Sequence, residues 1–146
     1  MQKLLVPIDG SDYSDAAVRE VIKRAQTAGG IELHLLNVQP RIFAEETLVY
    51  MPADRIDTYY YDQGSKALAS AERLLKEAGV AFTSHRAVGP VAETIVEKAR
   101  DLGCDGIVMG TQGRGKILGT LLGSVSLKVL QLSEVPVTLL RSDRRA

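Results

Sequence analysis

The chain has 146 residues, 45% apolar and 25% charged, with 18 Lys plus Arg against 18 Asp plus Glu. A chain of this length buries about two-thirds of its unfolded surface, so disorder is excluded as the default and no covalent staple is needed. Zero net charge excludes general attraction to nucleic acid or an anionic membrane, and the lone Cys104 excludes an internal disulfide and a cysteine zinc cluster.

Leu4-Leu5-Val6-Pro7-Ile8 is a short, continuously apolar run, as in a strand covered on both faces. It ends too soon to be a signal-peptide core, and no later stretch approaches the roughly 18 apolar residues of a membrane span. A cytoplasmic protein is expected. After Asp9-Gly10-Ser11-Asp12, the apolar residues Val18, Val21, Ile22 and Ala25 predict a helix running from Ser14 to Gly29-Gly30. Ile31 to Val38 follows as the second strand.

Residues 39–56 carry Pro40 and Pro52 and no clear period, which predicts a long loop or lid. Tyr59, Tyr60 and Tyr61 follow, suited to cover a sheet edge, a partner surface or a ligand. Ala67, Leu68, Ala71, Leu74 and Leu75 then mark a long helix closed by Gly79, and Val80 to Val88 reads as the third strand. Pro90 stands at a first helical position before the stripe Val91, Ile95, Ala99, Leu102. Gly106 to Met109 is the fourth strand, Ser124 to Leu132 a short helix, and Val135 to Leu140 the last strand. Strands alternating with helices predict an α/β fold, a parallel sheet between two helical layers. His34 and His85 lie far apart in the sequence without metal-ligand spacing and read as structural; Cys104 reads as a packed thiol.

Five glycines, Gly110, Gly113, Gly115, Gly119 and Gly123, crowd the stretch after the fourth strand. Ligands of open α/β sheets bind at the carboxyl ends of strands, and glycine lets an anion approach main-chain N–H groups. The helix starting at Ser124 would turn free N–H groups toward a phosphate, with the Ser124 hydroxyl capping the helix, donating to the phosphate, or both. Two familiar phosphate loops do not fit. Gly110-Thr111-Gln112-Gly113-Arg114-Gly115-Lys116-Ile117 has Ile117 where a P-loop needs Ser or Thr, and Gly113-x-Gly115-x-x-x-Gly119 misses the dinucleotide spacing by one residue.

The spacing Gly110-x2-Gly113-x9-Gly123-Ser124 instead resembles the nucleotide-binding signature of the universal stress protein family, in its ATP-binding branch. Leu4 to Ser11, Leu36-Asn37-Val38, Gly89 to Glu93 and Ile107 to Gly110 are similar to other landmarks of that family, so that the resemblance spans residues 1–141 as one domain and leaves 142–146 as a tail. It implies a three-layer sandwich around a five-stranded parallel sheet, the Rossmann-like adenine nucleotide α hydrolase-like fold, with ATP or AMP across the strand ends. Asp9 and the main chain of Val38 would meet adenine and ribose, Pro7 and Ile8 would line that pocket, and Met109 would pack near the sugar. Gly110, Gly113, Gly123, Ser124 and Val125 would hold the phosphates with Arg114 as a cationic neighbour, and Mg²⁺ could accompany them.

Blander roles stay open. Asp9 could cap its turn, Pro7 and Val38 could be sheet core, and Arg114 and Lys116 could be solvated loop charges. From Gly106 to Ser133 there is no acidic residue, while Arg114, Lys116 and Lys128 are present, which suits an anion but leaves no second carboxylate for catalysis. The expectation is a regulator that binds adenine nucleotide with little or no catalysis, dimerised through Val135 to Leu140. The alternatives are an ATP-consuming enzyme of the same superfamily, whose SGGxDS or HxGH elements are missing after the first strand, and a dimerisation scaffold without nucleotide.

Overall fold

Alternation along the first strand sets the layers. In the computed structural model, which describes residues 1–112 and 122–141, β1 (Gln2–Pro7) turns Leu4 and Val6 to one face and Leu5 to the other. Leu33 and Leu35 of β2 (Ile31–Gln39) continue the first face, while Leu36 and Val38 continue the second. β3 (Thr83–Val88), β4 (Gly106–Gly110) and β5 (Val137–Leu140) complete a parallel sheet of five strands in the order β3-β2-β1-β4-β5. Helix α1 (Asp12–Ala28) supplies Ala17, Val18 and Val21 to the first face, and α3 (Ala53–Glu77) adds Leu68, Ala71 and Leu75. On the second face, α4 (Val91–Leu102) and α5 (Ser124–Leu132) supply Ile95, Ala99 and Val129. Each fully buried Leu or Ile in these two cores is worth roughly 2 kcal/mol. The expected α/β, three-layer, Rossmann-like fold is therefore the observed one. Among the described residues, no helix is long and apolar enough to cross a membrane.

Several expected boundaries move. β1 stops at Pro7 rather than Ile8, and α1 starts at Asp12 because the Ser11 hydroxyl accepts from Ser14 N–H as its cap. Val80 and Phe82 pack onto the core ahead of β3 without joining the ladder. Pro136 has no N–H to give a ladder, so β5 begins at Val137, although the Pro136 carbonyl still accepts from Ile107 N–H. Pro90 is the N-cap of α4 rather than its first residue.

The larger correction concerns 39–56, which is not a structureless loop. β2 runs through Gln39, α2 (Glu45–Leu48) forms one turn, and α3 already begins at Ala53 after Pro52. Most side chains in the first turns of α3 are exposed, and the half-buried Ile56, Tyr60 and Gln63 are too mixed in polarity to show an apolar period. The tyrosines lie on these turns. Tyr59 and Tyr60 meet Phe43 edge to face, the Tyr60 hydroxyl accepts from Ile42 N–H, and Tyr61 lies under the Arg86 guanidinium.

Candidate functional site

The strand order reverses at β1. From β1 the chain moves outward to β2 and β3, then crosses to β4 and β5 on the opposite side, which opens a crevice at the carboxyl ends of β1 and β4. A cavity of about 450 Å³ occupies that position.

Nine of the eleven residues singled out from the sequence line it. Pro7, Ile8 and Asp9 come from the end of β1, and Val38 from β2. Met109 and Gly110 come from β4, and Gly123, Ser124 and Val125 from the start of α5. Gly113 and Arg114 lie outside the described residues, as do Gly115, Lys116, Gly119 and the tail 142–146.

The β4–α5 wall is a main-chain surface. Gly123 N–H donates to Thr111 C=O at 2.7 Å, which sets Gly123 against the chain leaving β4. Gly123, not Ser124, is the N-cap of α5, and as a glycine it supplies no side-chain cap of its own. Ser124 is one position too late to cap, and it lines the cavity with Gly123, Val125 and Ser126, so the start of α5 forms part of the wall. That is the geometry of an anion site, with the positive end of the helix dipole aimed into it. Ser126 Oγ donates to Gly110 C=O at 2.9 Å and fastens α5 to β4. Lys128, counted with the cations near the loop, pairs instead with Glu93 of α4.

Gly110 has a reason the sequence did not suggest. A Cβ there would lie 2.5 Å from Tyr13 Cβ and 2.8 Å from the Tyr13 main chain, so glycine is required by the approach of α1 to β4. Gly123 is different, since its φ of −74° suits any residue and a Cβ would meet Gln112 Cα at an ordinary 3.4 Å.

The β1–β2 wall is made of cross-linked polar groups. Asn37, 2% exposed, donates from Nδ2 to Ile8 C=O at 2.8 Å, and Gln39 Nε2 donates to Asn37 Oδ1 at 2.8 Å. Asp9 caps its turn, Oδ1 accepting from Ser11 N–H at 2.9 Å on the way into α1, and it also lines the cavity. Asn37, Gln39, Ser14, Gln112 and Ser126 were not singled out as site residues. Their signal was polarity inside or just after an apolar strand for Asn37, Gln39 and Gln112, and on the buried side of a helix for Ser14 and Ser126, which an apolar pattern treats as noise.

Away from the cavity, the two histidines meet. The register pairs Leu36 with His85, placing it diagonally from His34 on the same sheet face. His34 Nδ1 lies 2.8 Å from His85 Nε2, and His34 Nε2 lies 2.7 Å from Glu32 Oε2. The hydrogen bond with His34 holds Glu32 below the usual carboxylate range. An ionised Glu32 only accepts, so His34 carries its proton on Nε2 and His85 donates to Nδ1. Burial pushes His85 below the ordinary imidazole range, with Lys98 and then His34 adding to the effect. Burial raises the Cys104 thiol, which fits a packed side chain.

The model of the universal stress protein family matches residues 1–141. Universal stress protein YxiE of Bacillus subtilis (strain 168) is 34% identical over 146 residues, covering 95% of this chain and 98% of that protein. The solved structure of MJ0577 from Methanocaldococcus jannaschii matches with a TM-score of 0.83 at 26% identity, covering 99% of this chain and 98% of that one. A universal stress protein solved in complex with cAMP matches with a TM-score of 0.72 at 27% identity, covering 97% of this chain and 98% of that one. The chain belongs to the universal stress protein family.

Proposed function

We propose that the cavity binds an adenine nucleotide, ATP or AMP, and that the protein is a nucleotide-dependent regulator of the stress response with little or no catalysis. The observation that carries this is the start of α5, which lines the cavity at the switch of strand order behind an N-cap glycine that has no side chain to cap it. The cAMP complex of a relative supports an adenine nucleotide as the guest. Base and ribose would lie against Pro7, Ile8, Asp9, Val38 and Met109, and the phosphates against Gly110, Gly123, Ser124 and Val125.

The noncatalytic part rests on the residues present. Phosphoryl transfer needs a held metal and a group that positions the attacking oxygen. Asp9 is the one acidic residue lining the described walls, and the described residues contain no group of three His, Cys, Asp or Glu able to hold a metal. A Mg²⁺ accompanying ATP would therefore be held by the phosphates themselves.

Regulation through a homodimer fits the outer strand. β5 is an edge of the sheet with all its residues half-buried, and Leu127, Leu130 and Leu132 of α5 are exposed beside it. Pairing Val135 to Leu140 with a second copy would cover that edge.

The test is to denature purified protein, identify any released nucleotide, and titrate the emptied protein with ATP, AMP and GTP while following the melting temperature. A ligand at a hundred times its Kd stabilises by about 2.7 kcal/mol, so adenine nucleotides should raise the midpoint by several degrees. No shift at millimolar adenine nucleotide overturns the proposal. Phosphate release above a buffer control, lost in Asp9→Ala, overturns its noncatalytic part.

A further inference from the structure

Successive residues of a strand direct their main-chain groups to opposite edges, and this fixes what each residue at the end of β2 can do. Leu36 C=O accepts from Ile8 N–H at 2.8 Å, so Leu36 faces β1, and Val38 two residues on faces the same way. Gln39 C=O accepts from Gly89 N–H at 3.0 Å, so Gln39 and Asn37 face β3. The next rung between β1 and β2 would join Val38 N–H to Ile8 C=O. That rung is replaced by the Asn37 side chain, whose Nδ2 donates to Ile8 C=O.

The orientation of this amide has no freedom. A carbonyl only accepts, so Nδ2 must face Ile8; Oδ1 then faces Gln39, whose Nε2 must donate. Asn37 is buried, and Gly64 of α3 leaves it room, since a Cβ at that position would come within 3.4 Å of Asn37 Oδ1. With Ile8 C=O satisfied, β1 leaves β2 after Pro7 and turns into Asp9. Val38 N–H and C=O, which have no main-chain partner on that side among the described residues, are left on the cavity wall.

We propose that Asn37 is a positioning residue for base recognition: its amide takes Ile8 C=O out of the ladder and so keeps the Val38 N–H and C=O for the ring edge of the nucleotide. A neighbouring donor and acceptor on one strand edge match N1 and the 6-amino group of adenine. An unpaired main-chain group away from water is costly, and the cavity beside Val38 offers its N–H and C=O a ligand as partner. The inference rests on the nucleotide assignment for its ligand but not for its geometry.

The experiment has two parts. Amide hydrogen exchange on the ligand-free protein should show Val38 exchanging like a loop residue while Leu36, one rung earlier, is protected. Equal protection of Val38 and Leu36 overturns the proposal whatever the protein binds. AMP and pyrophosphate are then titrated into the wild type and Asn37→Leu, which keeps the size of the side chain but cannot donate. AMP affinity should fall about tenfold, the weight of one good hydrogen bond to a ligand, with pyrophosphate affinity unchanged and Val38 newly protected. Parallel loss of both ligands marks a merely structural residue and overturns the proposal, as does unchanged AMP affinity. Should Asn37→Leu not fold, the wild-type exchange result decides alone. A wild type that shows fast exchange at Val38 but no affinity for AMP refutes the nucleotide assignment and with it the proposed base contact.

Discussion

The two walls of the cavity hold their groups in place by opposite means. The β1–β2 wall uses side chains to fix main-chain groups, with Gln39, Asn37 and Ile8 linked in series. The β4–α5 wall presents the start of the helix itself, with Gly110 and Gly123 at its two ends. A flat ring needs a donor and an acceptor at set positions, which demands cross-linking. A phosphate, with oxygens on every side, needs several N–H groups and no obstruction. The comparison teaches that glycine content marks one wall only.

The sharpest way to break the β4–α5 wall is Gly110→Val. Its Cβ would overlap the Tyr13 main chain, so the expected loss is about 3 kcal/mol or more, measured by urea unfolding. A stability near wild type would show that α1 can retreat from β4. Next in size is Ser124→Pro, which removes one N–H and the hydroxyl while suiting the first position of α5. Nucleotide affinity by calorimetry should drop about tenfold with the melting temperature nearly unchanged. If affinity survives, the phosphates do not sit on α5.

An intermediate effect tests whether the β2–β3 side is sensitive to acid. The lowered pKa of His85 means that the unfolded chain binds more protons near its ordinary value of 6.5. Stability is therefore complete above that pH and is lost as pH falls through it; Glu32, also lowered, adds the same direction of change below 4.5. Between about pH 7 and pH 5 the melting temperature should fall, and His85→Gln should flatten that slope. An unchanged slope would assign the acid sensitivity elsewhere. The smallest effect is Gly123→Ser, which gives α5 the side-chain cap it lacks and has room for a Cβ. Stability should rise by a few tenths of a kcal/mol while nucleotide affinity falls about threefold, because the new hydroxyl occupies N–H groups meant for the anion. Stability and affinity rising together would refute the role given to an uncapped helix.

The layers were legible because Leu4, Leu5 and Val6 are apolar on both faces of a parallel strand, and helical stripes such as Val91, Ile95, Ala99 repeat cleanly. The β4–α5 wall was legible because its signal is local: glycines and a helix start in one stretch of chain. The β1–β2 wall was not, since Asn37 acquires its partner, Ile8, across 29 residues of sequence. Gly110 ends β4 on the cavity wall, but the Tyr13 main chain that excludes a Cβ there is visible only when α1 packs on β4. His34 and His85 met through a register offset, which periodicity does not encode. The first turns of α3 were missed because they pack on Phe43 and Arg86 rather than on either apolar core, which leaves no apolar stripe to read.

The aromatic contacts at the start of α3 bear on how the cavity is reached. Pro40 lines the cavity, and the chain just beyond it is moored to α3 by Ile42 N–H on the Tyr60 hydroxyl and by Phe43 on two tyrosine rings. These contacts lie outside both hydrophobic cores, so they can open and close at a small fraction of the free energy of global unfolding. For the proposed nucleotide, opening of these contacts would limit exchange with solvent, so Phe43→Ala should raise on- and off-rates together in stopped-flow measurements and leave Kd nearly fixed; a change in Kd alone would refute this.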